Sequence, residues 1–165
     1  MSEITKQQDS RRIFIDTLIE LAEKDDRIVF IVMDVGFNYY EQFQERFPDR
    51  FFNFGATEQS SMLIASGMAL SGFKPYIFSM INFVTFRVHE MIRNGVAMHN
   101  ANVKIIGVKG SEKYKFLGFS HNLLYEDEEI EWMQKLMPCY KPKLEEVRDL
   151  ILTVDKEKKA SYIRL

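Results

Sequence analysis

Residues Ile28-Val29-Phe30-Ile31-Val32 form an unbroken apolar run of strand length. A strand with one wet face alternates apolar and polar residues, and this one does not. The run therefore fits a strand buried on both faces, as in a parallel sheet covered by helices. Similar short segments recur at Arg50–Phe54, Pro75–Ser79, Val103–Val108 and Ser161–Leu165. The stretches between them carry helical spacing. A first helix is expected from Ser10, read as its N-cap, through Ile13, Leu18, Leu21 and Ala22. Further helices are predicted at Tyr40–Phe47, Glu58–Ser71, Phe83–Met98, Asp127–Leu136 and Leu144–Val154. Strands alternating with helices predict a three-layer α/β/α domain with a mostly parallel sheet. Residues 1–9 read as a flexible polar arm, and 10–165 as one domain.

Composition removes several classes of function. Basic residues number 22 and acidic ones 24, a net charge of −2, so no electrostatic footprint for nucleic acid is expected. No apolar run approaches the roughly 18–20 residues of a membrane span. The polar start MSEITKQQDS has no signal-like apolar segment, and the cytoplasm is the expected compartment. The single cysteine, Cys139, excludes an internal disulfide framework and a cysteine-based zinc site, and no metal ligands are expected in this chain. Walker, dinucleotide-binding and nucleophile-elbow motifs are absent. The 14 Phe and 9 Met exceed what one small core needs, so part of this apolar surface is expected to meet a partner.

In parallel sheets ligands bind beyond the carboxyl ends of the strands. Those ends carry Asp34, the Gly55–Glu58 turn, Ser79–Phe83 and the loop Lys109–His121. Glu58 starts a helix beside small residues; it either shares a proton with a ligand ring or complements the helix dipole. Phe83 and Phe86, one helical turn apart, form either a wall for an aromatic ligand or core. His121 either serves an oxyanion or lies at the surface. Arg11 and Arg12 meet a phosphate or form a solvated pair. Asp34 fits a turn cap. His89 and His99 read as structural and Cys139 as inert.

The order of several segments resembles the transketolase family, in its pyrimidine-binding domain. The segment Phe47-Pro48-Asp49-Arg50-Phe51-Phe52-Asn53-Phe54-Gly55-Ala56-Thr57-Glu58-Gln59 matches the family's P-x-R-[FY]-x-N-x-G-I-x-E stretch. Ala65-Ser66-Gly67-Met68-Ala69-Leu70-Ser71-Gly72 matches the small-residue helix that follows, and Ser79-Met80-Ile81-Asn82-Phe83 the T-F-x-x-F element. Gly118-Phe119-Ser120-His121-Asn122 is similar to G-P-T-H-Q, and Tyr162-Ile163-Arg164-Leu165 to the closing Y-I-R-L.

The resemblance implies a thiamine diphosphate site shared between two halves, of which this chain supplies the half for the aminopyrimidine. Glu58 falls on the cofactor-activating glutamate, whose hydrogen bond to the pyrimidine ring prepares the thiazolium carbon for proton loss. Phe83, Phe86 and Met80 fall on the ring-facing positions, Asp34 on the first strand-end aspartate, His121 on a substrate-facing histidine and Arg11 on a phosphate-binding arginine. The family's Gly-Asp-Gly motif, which holds Mg²⁺ and the diphosphate, is missing here. That implies a split enzyme with a diphosphate-binding partner subunit, and a self-dimer within a heterotetramer. Two-carbon ketol transfer between sugar-like substrates is the implied reaction. Decarboxylation or dehydrogenation of a 2-keto acid, and a non-catalytic regulatory domain, are the alternatives. The segment Lys109–Leu117 departs from the family's T-H-D-S-I pattern, which puts ordinary pentose phosphates in question.

Overall fold

The computed structural model describes residues 9–108, 116–123, 125 and 127–165. Apolar runs become strands because extended β-branched and aromatic side chains fill both sides of a pleated layer. In chain order the strands are β1 Ile28–Val32, β2 Phe51–Asn53, β3 Lys74–Met80, β4 Lys104–Val108, β5 Cys139–Tyr140 and β6 Ser161–Arg164. Among the described residues these form one sheet in the order β2-β1-β3-β4-β6-β5. Every neighbouring pair is parallel. The register puts Phe30 beside Tyr76 and Ile77 beside Ile105.

The period of two is hidden inside each apolar run. Phe30, Val32, Tyr76, Phe78 and Ile106 point to one side, into a core closed by α1 (Ser10–Ala22), α2 (Glu41–Arg46) and α6 (Val147–Lys156). Val29, Ile31, Ile77 and Ile105 point to the other, under α3 (Glu58–Leu70), α4 (Ile81–Val84) and α5 (Glu128–Met133). The three-layer architecture is therefore as expected. The first core absorbs much of the phenylalanine surplus, with Phe14, Phe30, Phe43 and Phe78 in stacked and edge contacts. Met62 is fully buried core. Among the described residues, no helix is long and apolar enough to cross a membrane.

Four expectations are corrected. The cap of α1 is Asp9, not Ser10: its carboxylate accepts the backbone N–H of Arg11 at 2.9 Å. Asp9 is thus tied into the domain, while residues 1–8 of the expected arm lie outside the described residues. The helix expected over Phe83–Met98 is three pieces: α4, a 3₁₀ turn at Phe86–Val88 and a π segment at Met91–Ala97. Thr85 makes the break, with φ −121° and ψ −79°, its hydroxyl donating back to the Ile81 carbonyl at 2.7 Å. Finally, β5 adds an edge strand that the sequence reading does not contain.

Candidate active site

The turn after β2 places Glu58. Asn53, the last residue of β2, accepts from the Asp34 amide at 3.2 Å and from the Gly55 amide at 3.0 Å. One side chain so ties the end of β1 to the turn. Gly55 takes φ +66°, a conformation that suits a residue without Cβ. The turn then enters α3, with the Thr57 hydroxyl on the Phe54 carbonyl at 2.8 Å, and Glu58 is its first residue.

Glu58 is only 5% exposed. Its Oε1 accepts from Arg87 Nη1 at 2.7 Å. The same guanidinium lies over the Phe83 ring, with Cζ 3.9 Å from the centroid. Phe83 in turn makes a T-shaped contact with His121, centroids 5.0 Å apart and planes at 80°. The structure thus brings together three of the candidates named from the sequence, Glu58, Phe83 and His121, and adds Arg87, which the sequence does not single out. Its one available signal is being the sole Lys or Arg between Lys74 and Arg93, at the strand-end edge where ligands bind. Asn53 was likewise missed as an organising residue.

A second group lines a cleft of about 240 Å³ at the same edge of the sheet. Arg11, Asp34, Met80 and His121 all face it, together with Tyr39 and Gly36. His121 therefore joins the cleft to the Glu58 cluster. Asp34 is exposed and takes φ 52° at the end of β1. Met80 is buried at the end of β3. Arg11 pairs with Asp9 and stacks on Tyr39, Cζ 4.2 Å from the ring centre. That hydrogen-bonded pairing holds the Asp9 carboxyl well below its ordinary range. The solvated Arg11–Arg12 pair is thereby replaced by a structured one, in which Arg12 Nη2 donates to the Asn38 carbonyl at 2.6 Å. Phe86 stands apart: beyond the Thr85 break it is 36% exposed.

The segment that leaves the loop toward α5 is held at two points. Asn82 Nδ2 donates to the Asn122 carbonyl at 2.7 Å, and Arg164 Nη1 reaches Asp127 at 2.5 Å and Glu129 at 3.2 Å. Residues 109–115 of the expected Lys109–His121 loop lie outside the described residues. His89 packs on Trp132, ring centres 3.9 Å apart, and His99 Nδ1 is 2.7 Å from the Asn94 carbonyl oxygen.

These groups suit a flat ring that donates a hydrogen bond. The acceptor is Glu58 and the face is Phe83, and the space between already holds a planar donor, the Arg87 guanidinium. Asn82 Oδ1 and Ser79 Oγ are buried without a hydrogen-bond partner among the described residues, leaving polar capacity at the end of β3.

A family model described as transketolase, pyrimidine binding domain, matches residues 6–134. The chain belongs to this family. Among transketolase relatives, a subunit of the apulose-4-phosphate transketolase of Phocaeicola vulgatus is 35% identical over 117 residues, covering 70% of this chain and 38% of that protein. The 1-deoxy-D-xylulose-5-phosphate synthase of Aquifex aeolicus is 31% identical over 147 residues, 86% of this chain and 22% of the synthase. A split gene transketolase, solved as an inactive beta4 tetramer, superposes with a TM-score of 0.81 at 28% identity, covering 94% of this chain and 50% of that one. The chain spans half or less of the length of each of these proteins. Within this transketolase domain, the cluster Glu58–Arg87–Phe83–His121 sits at the carboxyl edge of the sheet, the edge where parallel sheets bind ligands.

Proposed function

We propose that this chain is the pyrimidine-binding subunit of a split, thiamine diphosphate-dependent transketolase-like enzyme that moves a two-carbon ketol unit between sugar-like substrates. The observation that carries the reading is a buried carboxylate at the start of α3 whose hydrogen-bonding partner is a planar cation lying over the Phe83 ring. When bound, the cofactor supplies the stabilised carbanion that ketol transfer needs. Glu58 holds the hydrogen bond at the pyrimidine ring nitrogen through Oε1 and controls the proton there. Phe83 orients the ring through the face that the Arg87 guanidinium covers in this chain. His121, shared by the cluster and the cleft, presents its imidazole toward the substrate side. Asp34 and Met80 shape the wall of the cleft, and Arg11, already paired with Asp9, is poorly placed to gain a phosphate. Phe86 is 36% exposed in the 3₁₀ turn beyond Thr85. Mg²⁺ and the diphosphate belong to a partner bearing Gly-Asp-Gly.

Calorimetry tests the proposal. Thiamine diphosphate with Mg²⁺ is titrated into this chain, into a Gly-Asp-Gly partner, and into the mixture. Weak binding to this chain alone and tight binding to the mixture are expected. Tight, Mg²⁺-dependent binding to this chain alone contradicts the split site. Product analysis of the mixture then distinguishes the chemistry: an aldehyde marks ketol transfer, and CO₂ from a 2-keto acid marks decarboxylation.

A further inference from the structure

We propose that Arg87 is an internal stand-in for the aminopyrimidine, occupying in the subunit both surfaces that the ring uses and leaving them when the ring arrives. The inference rests on reading Glu58 and Phe83 as the pyrimidine surface. A guanidinium and an aminopyrimidine share the features that matter: each is planar, each offers N–H donors in its plane, and each stacks on an aromatic face. Arg87 uses all of them at once. Its Nη1 donates to Glu58 Oε1 at 2.7 Å while Cζ sits 3.9 Å above the centre of Phe83. One planar group cannot share that face and that oxygen with a second.

The arrangement answers a physical need of the free subunit. A carboxylate 5% exposed is costly to leave without a partner, and Arg87 supplies one. Departure is also easy. The Arg87 side chain is 41% exposed, so the guanidinium has solvent on its outer side. Its backbone lies in the short 3₁₀ turn beyond the break at Thr85, so swinging the side chain opens no regular helix. Ligand binding then includes the cost of displacing a half-exposed ion pair, and removing Arg87 removes that cost.

The test uses the full chain and 4-amino-5-hydroxymethyl-2-methylpyrimidine, the ring of the cofactor without its diphosphate. Proton–nitrogen spectra follow the Arg87 Nε–Hε group, which the Phe83 ring current shifts, alongside the signals of Phe83 and Glu58. The expected result is that Hε returns to its unshifted position in step with the Phe83 changes, and that Arg87→Ala binds the probe roughly fivefold more tightly. Arg87→Lys, which keeps a charge beside Glu58 but no flat face, serves if the alanine variant does not fold. Binding at Phe83 with the Arg87 signal unmoved, or no tighter in the variant, overturns the stand-in and leaves the pyrimidine site standing. No response of Phe83 or Glu58 in either protein overturns both.

Discussion

The rings of Phe83 and His121 meet in a T, centroids 5.0 Å apart with planes at 80°, and so couple the end of β3 to the loop that follows β4. Edge-to-face pairs contribute roughly 0.5–1.5 kcal/mol beyond the area they bury. Phe83→Leu keeps an apolar side chain and loses the flat face. In the assembled enzyme it is expected to weaken cofactor binding about tenfold, with stability changed by less than about 1 kcal/mol. His121→Ala is expected to lower turnover more than cofactor affinity. Titration calorimetry beside steady-state kinetics separates the two.

The sheet leaves no room at Gly107. A Cβ there would come 2.6 Å from the Tyr162 hydroxyl oxygen and 2.9 Å from its ring, and Tyr162 is fully buried. Gly107→Ala is expected to cost about 3 kcal/mol, read as a lower urea midpoint. Gly95→Ala meets only the movable tip of Leu63, at 2.9 Å, and is expected to cost about a third as much.

Lys104 is fully buried at the start of β4, with Nζ donating to the carbonyls of Glu157 and Lys159 at 3.0 and 2.7 Å. Burial lowers its amine from 10.5 to about 8. Between those two values the unfolded chain holds a proton that the folded one has released, so stability contributed by this group rises with pH through the window. It is least below pH 8. Lys104→Met is expected to remove this rise, on the order of 3 kcal/mol from end to end. The difference in urea stability between the wild type and the variant at pH 7 and pH 10 checks it.

Cys139 sits half-buried on the edge strand, its thiol pushed up to about 12 by burial. Thiolate is the reactive form, so the folded protein is expected to react with a disulfide reagent at pH 8 far more slowly than a model thiol. Urea denaturation is expected to restore the full rate. Fast labelling of the folded chain would contradict the buried setting.

What the sequence carried, and what it did not, follows from how local each feature is. Five of the six strands were legible because Ile28–Val32 is a continuous apolar run and its counterparts are short apolar-rich segments set between stretches of helical spacing. The break at Thr85 was hidden because Val84, Val88, Ile92 and Val96 keep an apolar spacing straight through it and all end in the core. A two-residue strand such as Cys139–Tyr140 is too short to show any period. Asp9 and Ser10 are both good capping residues, and only the reach of the carboxylate to Arg11 decides between them. Glu58 was legible from its turn and its family motif. Arg87 was not, because its meaning lies in a carboxylate 29 residues away.

The central claim is that Glu58 activates the cofactor by holding a proton-bearing bond at its pyrimidine. Exchange of the thiazolium C2 proton for deuterium, followed by NMR in the assembled complex, reads that activation before any substrate chemistry. Glu58→Gln, of equal size, is expected to slow the exchange roughly a hundredfold or more with assembly intact. Exchange at the wild-type rate in the assembled variant would contradict the claim.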